Sequence, residues 1–315
     1  MREYILRRLL VAAVLVFSVG TLVFLMIRLV PGDVVQVMLA EGNPSPEVIQ
    51  ARREALGLTR PLGEQYAVWV GGLLQGDFGR SLATSRPVGG DLATHLPRTL
   101  ELVGAGLAIG LVLGIPTGVF AAIRRNTWAD YLATTTSLVG LSVPNFVWGT
   151  LLILVFGLLL RWFPTAGFVS LVDDPQRHLR FLTLPAITLG LTLAAVVTRM
   201  TRSAMLEVLR QDYIRTALAK GLSNRVVEYR HALRNAMIPI VTITGIEIGS
   251  LLGGTVLVEY VFNWPGLSTL LINAAFKRDY PMVQAVVLTI AGIFILINLL
   301  VDVLNAYLDP RIRYG

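Results

Sequence analysis

The sequence contains no cysteine, which excludes disulfides, thiolate metal sites and thiol nucleophiles. Charge is scarce as well: 15% of the 315 residues are Asp, Glu, Lys or Arg, against 54% hydrophobic, and the mean hydropathy is +0.67. A soluble domain cannot hide that much apolar surface, so the bilayer must solvate much of the chain. Signatures of chemistry are also missing. There is no G-x-x-x-x-G-K-[ST], so the chain has no P-loop for ATP, and there is no H-E-x-x-H, no G-x-S-x-G and no pair of intramembrane aspartates. The three histidines, His95, His178 and His231, are expected in different loops on opposite sides of the membrane, where metal ligands cannot converge. The expectation is a non-enzyme with no catalytic residue, no metal site and no cofactor of its own.

What is present is a series of long apolar runs. A helix that crosses the hydrocarbon core needs about 20 largely apolar residues. Uncharged runs of about this length cover Leu9 to Ile27, Leu102 to Ile123, Tyr131 to Leu160, Phe181 to Thr198 and Tyr280 to Val301. A sixth, from about Asn235 to Val258, contains one acid, Glu247. The expected fold is an all-α integral membrane protein with six spans. The N-terminal "MREYILRR" has the basic start of a signal peptide, but the apolar run behind it is too long for an h-region and no small-residue cleavage site precedes "RLVPGD", so an uncleaved first helix is expected.

The formal charge of +7 falls on alternate loops. With the N-terminus inside, the inner segments hold Arg2, Arg7, Arg8, Arg124, Arg125, the cluster from Arg199 to Arg234, Arg311 and Arg313 with few acids, whereas Pro31 to Arg98 is nearly balanced. This asymmetry places both termini in the cytoplasm, and a basic face for nucleic acid would not alternate in this way. The loop from Pro31 to Arg98 is too long for a connector. Ser45 as N-cap, Pro46 at the first helical position and Gly57 as a stop predict one helix, and Tyr66, Trp69, Val70, Leu73 and Leu74 mark a second from about Pro61 to Leu74. The pair reads either as lying on the outer membrane surface or as a small external domain that meets a partner.

The stretch "DYIRTALAKGLSNRVVEYRHALRNAMIP", Asp212 to Pro239, is basic and lies between the fourth and fifth spans. Ala217, Leu218 and Ala219 favour helix, Gly221 suits a left-handed C-terminal turn and Ser223 can cap a following helix. Such a pair either lies in the interface with Ile214, Leu218, Val226, Val227 and Leu233 toward lipid, or inserts into a groove on another protein. The small residues Ala217, Ala219 and Gly221 permit close backbone approach and favour docking.

This segment resembles the cytoplasmic coupling loop, or EAA loop, of permease subunits of bacterial ABC importers, in the branch for dipeptides, oligopeptides, glutathione and nickel. The matching residues are "RTALAKG" from Arg215 to Gly221 and "RHALRNAMIP" from Arg230 to Pro239. Similarity continues in "VPGD" at Val30, "EALGLTRPLGEQY" at Glu54, "GDFGRSL" at Gly76, "LPRTLEL" at Leu96, "SVPNF" at Ser142, "FNWPGL" at Phe262, "RDYPMVQ" at Arg278 and "DPRIRY" at Asp309. The name-giving Glu and first Ala of that loop are replaced by Arg215 and Thr216, which removes any argument that a carboxylate makes the contact.

The resemblance implies a permease subunit that forms half of a translocation pathway. Its implied partners are a homologous second permease, two cytoplasmic ATPase subunits that bind the ATP, an extracytoplasmic solute-binding protein and the bilayer. It implies that Tyr213, Arg215, Thr216, Ala217, Ala219, Lys220, Gly221 and Leu222 meet the ATPase, and a location in the bacterial cytoplasmic membrane. The implied organisation is an N-terminus and first span over residues 1–30, an extracytoplasmic helical region over 31–98, the importer transmembrane domain over 99–308 with its coupling loop at about 199–236, and a tail over 309–315. The solute is a dipeptide, oligopeptide or similar small molecule, with nickel and glutathione as alternatives.

Among the spans, Glu247 is a functional candidate because an ionisable group costs several kcal/mol in the membrane. Thr242, Thr244 and Ser250 share its helix and suit a hydrated lumen. Asn145, after Pro144, interrupts the third span as a kink or a pore-lining element. Asp302 is expected to pair with a loop arginine, and the run from Gly249 to Glu259 to serve close helix packing. A self-contained secondary transporter or channel using Glu247 is the rival reading, and a membrane scaffold a second; six spans without a detectable inverted repeat, together with the coupling loop, weigh against both.

Overall fold

The computed structural model describes residues 2–29, 35, 45–55 and 57–308, whose regular secondary structure is helical apart from a single isolated β-bridge between Arg80 and Pro87. The helices are α1 (Arg2–Leu29), α2 (Pro46–Ala55), α3 (Leu62–Leu74), α4 (Val88–Ile123), α5 (Trp128–Ser142), α6 (Asn145–Leu152, continued by a π-helical stretch Ile153–Leu159) and α7 (Pro175–Val208). Then follow α8 (Asp212–Ala219), α9 (Asn224–Val261, which passes through a π-helical turn at Val227–Ala232), α10 (Leu267–Phe276) and α11 (Tyr280–Leu308). Five of these, α1, α4, α7, α9 and α11, are long and apolar enough to cross a membrane. The expected third span, Tyr131 to Leu160, is not one rod: α5 and α6 meet at 104° and make a sixth span only if counted together. Pro144 supplies no N–H and the residue before it is pushed out of helical space, so α5 stops at Ser142 and α6 restarts at Asn145.

The chain divides into two compact units. The first comprises Met1–Leu9, Leu100–Trp264 and Leu296–Gly315. In it α4 packs against α7, made close by glycine at every fourth position of α4. A Cβ built on Gly106, Gly110, Gly114 or Gly118 would lie 2.8 Å from Leu189 Cβ, 2.8 Å from Leu193 Cβ, 2.7 Å from Val197 Cβ and 2.6 Å from Thr201 Cβ, respectively. Gly190 reciprocates against Ile109. Between helices in lipid the hydrophobic effect is absent and close van der Waals packing replaces it, which is what a stripe of small residues allows. Asp174 caps α7, its Oδ1 accepting from Arg177 N at 3.0 Å, and Pro175 opens the helix.

At the other end of α7 the buried Asp130 of α5 receives both Nε and Nη2 of Arg202, at 2.5 and 2.8 Å, and the Asn126 N–H at 2.9 Å. Asp302 pairs with Arg8 at 2.8 Å; the partner is in helix α1 and not in a loop, as had been expected. His178, 1% exposed, sets Nδ1 on Val169 O and Nε2 on Glu101 Oε1, both at 2.7 Å, beside the rings of Phe168 and Trp264. The histidines are thus in helices α4, α7 and α9 and not in loops, as had been expected.

The second unit comprises Leu10–Thr99 and Pro265–Ile295. Its core is Val88, Leu92, Leu267, Ala274, Met282, Ala285 and Val286, with Phe78 and Leu270 against them. Helix α2 begins at Pro46 and the chain turns at Gly57, φ +66°, as the sequence indicated. The second outer helix, α3, lies against α1: Tyr66 and Trp69 face Phe24 at ring-centroid distances of 5.0 and 5.3 Å, and Tyr66 Oη hydrogen-bonds Thr21 Oγ1 at 2.6 Å. Two of the quoted motifs meet at Asp279, whose carboxylate accepts from Ser81 Oγ and from Leu82 N at 3.0 Å. Two more meet where Leu267 N donates to Thr99 Oγ1 at 2.8 Å.

Candidate functional site

Helix α7 ends at Val208, and after three intervening residues α8 begins, with Asp212 in its first turn where the helix dipole favours an acid. Its end is set by backbone geometry. Leu222 N donates to Ala217 O at 3.3 Å and Gly221 N to Leu218 O at 2.9 Å, the paired bonds of a Schellman turn, with Gly221 at φ +83°. A residue with a Cβ pays steric energy in that left-handed conformation, so glycine is the fitting choice. Ser223 starts α9 with its carbonyl, which accepts from Val227 N at 3.1 Å, but its side chain makes no capping bond. The expected side-chain cap is therefore absent.

The second helix of the pair is not a separate element, because α9 continues from Asn224 to Val261 and makes one body with the fifth apolar run. The short helix α8 is fastened to it at two places. Ile214 and Val227 are both buried, and Asn235 Nδ2 donates to Tyr213 Oη at 2.7 Å. The five apolar residues anticipated as one lipid-facing stripe therefore divide: Ile214 and Val227 are buried, Leu233 is half-buried, and Leu218 and Val226 are exposed. Of the anticipated ATPase-contacting residues, Tyr213, Arg215, Thr216, Ala219, Lys220, Gly221 and Leu222 are exposed and Ala217 is half-buried. They form one outward surface in which apolar Tyr213, Leu218 and Leu222 are set among Arg215 and Lys220. A small apolar patch rimmed by cations, on a short helix tied to a long one, is suited to seat in a groove and to transmit force.

The intramembrane candidates do not all come together. On α9, Thr242, Ile246, Ser250, Gly253 and Leu257 recur at helical spacing; of these Ile246, Ser250, Gly253 and Leu257 are exposed and Thr242 is half-buried. Glu247 borders that stripe and is half-buried. Thr244 lies on another side of the helix, where its hydroxyl donates to Ile240 O at 2.7 Å. Asn145 approaches α9 beside Gly254, where an added Cβ would lie 3.0 Å from its Nδ2, and its Oδ1 accepts the Thr192 hydroxyl. Gly254 is two helical turns beyond Glu247 on the same face, so Asn145 and Glu247 address a common side of α9. Thr192 was missed by sequence reading because a lone threonine in an apolar run carries no signal of its own. The run from Gly249 to Glu259 does pack closely in part: Gly249, Thr255 and Glu259 are buried, whereas nothing lies within 4 Å of a Cβ on Gly253.

Comparison with known proteins follows this geometry. Residues 114–314 match the family "Binding-protein-dependent transport system inner membrane component", and residues 1–103 match the N-terminal family of the same membrane components. The chain is 43% identical over 334 residues to the di/tripeptide transport system permease protein DppB of Pseudomonas aeruginosa, covering 100% of this chain and 99% of the other. It is also 43% identical over 314 residues to the glutathione transport system permease protein GsiC of Escherichia coli strain K12, covering both completely. Among solved structures it is similar to a chain of the methionine ABC transporter MetNI in an inward-facing form, with a TM-score of 0.57 and 19% identity over 69% of this chain and 96% of that one. A second crystal form of that transporter gives a TM-score of 0.55 at 17% identity.

Proposed function

We propose a working mechanism from the premise that the chain belongs to the binding-protein-dependent transport system inner membrane components and is a permease subunit of an ABC importer. In that mechanism the exposed face of α8 seats in a cleft of a cytoplasmic ATPase, with Tyr213, Leu218 and Leu222 as apolar anchors and Arg215 and Lys220 at the rim. ATP-driven closure of two such ATPases carries α8 with it. Because Ile214 and Tyr213 fasten α8 to α9, and α9 runs unbroken from Asn224 to Val261, the displacement reaches the spans. Moving a two-state gate from 1:99 to 99:1 requires about 5.5 kcal/mol of differential binding, and this contact is the route by which nucleotide supplies it.

The solute is a di- or tripeptide or a glutathione-like peptide, the class carried by the relatives at 43% identity. A second, homologous permease completes the pathway, an extracytoplasmic binding protein delivers the solute, both termini are cytoplasmic, and Glu247, Asn145, Thr242 and Ser250 supply polar groups toward the lumen. The continuity of α9, to which α8 is fastened, from the coupling loop into the fifth span is the observation that carries this reading. It is tested by co-purifying the ATPase with the Gly221→Trp and Leu222→Glu variants in the assembled importer. Both are expected to lose most ATPase association and import. Undiminished association and transport in both would sink the docking claim.

A further inference from the structure

In the first unit, the π-helical end of α6 leads into a basic cavity of about 420 Å³ lined by Gly157, Arg161, Phe163, Thr165, Arg177 and Arg180, among others. Its shape is fixed by the backbone. Arg161 takes φ +55° and turns the chain back, so that Trp162 N donates to Phe156 O at 2.9 Å and the rings of Phe156 and Trp162 lie 5.6 Å apart. A Cβ on Gly157 would lie 2.7 Å from Thr165 Cγ2, so glycine lets the returning segment close over the helix. Arg180 Nη2 donates to Trp162 O at 2.9 Å, which holds one guanidinium at the rim. Among the described residues no carboxylate pairs with Arg161, Arg177 or Arg180. The nearby Asp174 has its Oδ1 committed to the N-terminus of α7.

The surroundings identify the counter-ion. From the rim, Leu158, Leu159, Leu160 and Trp162 are exposed by 56, 70, 44 and 57% and run back into a helix pair apolar enough for the hydrocarbon zone. The guanidiniums therefore sit where that zone ends, at the level preferred by tryptophan and by arginines whose stems lie along apolar surface. The anions held there at high density are lipid phosphates, and guanidinium binds phosphate oxygens in paired hydrogen bonds. We propose that Arg161, Arg177 and Arg180 form a binding site for the headgroup phosphate of an anionic phospholipid, with its acyl chains lying along Leu158, Leu159 and Trp162.

The site is tested on the assembled importer carrying the full chain, by native mass spectrometry of retained lipid after exposure to equal phosphatidylglycerol and phosphatidylcholine. Three arginines near a membrane surface imply a preference for phosphatidylglycerol of at least about tenfold. The combined Arg161→Gln, Arg177→Gln and Arg180→Gln variant is expected to reduce it to near parity, and the corresponding lysine variant to retain most of it. Should the triple variant fail to assemble, Arg177→Gln alone, whose side chain holds no backbone group, is expected to lower the preference several-fold. An unchanged preference in the glutamine variants overturns the proposal. So does a thermal stabilisation by inorganic phosphate equal to that by the lipid, which would make the ligand a free anion. Intact lipid preference combined with weakened docking of the binding protein would also overturn it, since the surface would then be a protein contact.

Discussion

At the scale of single residues, the unpaired cost of a buried charge separates Asp130 from Arg202. Asp130 is 2% exposed and takes both hydrogen bonds of the guanidinium, whereas the Arg202 side chain is 28% exposed. Removing the cation strands a buried carboxylate, and broken buried pairs cost about 3 to 5 kcal/mol. Removing the acid leaves an arginine that still reaches water. Arg202→Met is therefore expected to lower the thermal midpoint of the purified chain markedly more than Asp130→Asn, as read by intrinsic fluorescence on heating. Equal losses would show that the pair is not asymmetrically buried. His178 offers a second residue-scale test. It holds Val169 O and Glu101 from one buried ring; Glu101, 31% exposed, still reaches water without it, so His178→Ala chiefly leaves Val169 O without its partner, at about 1 to 3 kcal/mol. The expected result is a destabilised chain, whereas His178→Gln, which keeps a donor, recovers part of the loss.

At the scale of helices, the α4–α7 contact makes a prediction that side-chain volume alone would not. Gly110→Ala brings a methyl group to 2.8 Å from Leu193 Cβ, a position that cannot swing away, so the helices must separate. Overpacking of this kind costs about 1 to 3 kcal/mol. Gly104→Ala, in the same helix with nothing within 4 Å of its Cβ, has only the gain in helix propensity, up to about 1 kcal/mol. The first is expected to lower the thermal midpoint and the second to leave it level or raise it. If both behave alike, the helices are not in the close contact described here.

The same helices show what a sequence discloses. The apolar runs for α1, α4, α7, α9 and α11 are visible because lipid imposes a length that composition records. The turn at Gly221 is visible because a left-handed residue favours glycine. The 104° bend between α5 and α6 was marked by Pro144 but its size was not, since proline removes a bond without dictating the new direction. The four-residue spacing of Gly106, Gly110, Gly114 and Gly118 was present in the sequence and went unread. Thr192 and the partners of His178 and Asp130 were invisible, because the pairings span 47, 77 and 72 residues and nothing local announces them.

For the whole molecule, the decisive matter is whether α8 and the span beyond it move as one piece. In the proposed mechanism the exposed candidates from Tyr213 to Leu222 would account for attachment, but attachment alone does no work on the pore. Transmission depends on the unbroken run from Asn224 through the turn at Val227–Ala232 to Val261. Two glycines inserted between Arg230 and His231 would cost about 1 kcal/mol each in helix propensity, enough to loosen that turn without unfolding the long helices on either side. They would also move Asn235 out of register with Tyr213, so Tyr213→Phe, which deletes only that hydroxyl, serves as the comparison. In the reconstituted importer the insertion is expected to keep ATPase association and basal hydrolysis while import falls at least about tenfold, a loss of some 1.4 kcal/mol in coupling. Tyr213→Phe is expected to reduce import only slightly. Import near the wild-type rate in the insertion variant would mean that force reaches the spans by another path, and the continuity of α9 would then have no part in transport.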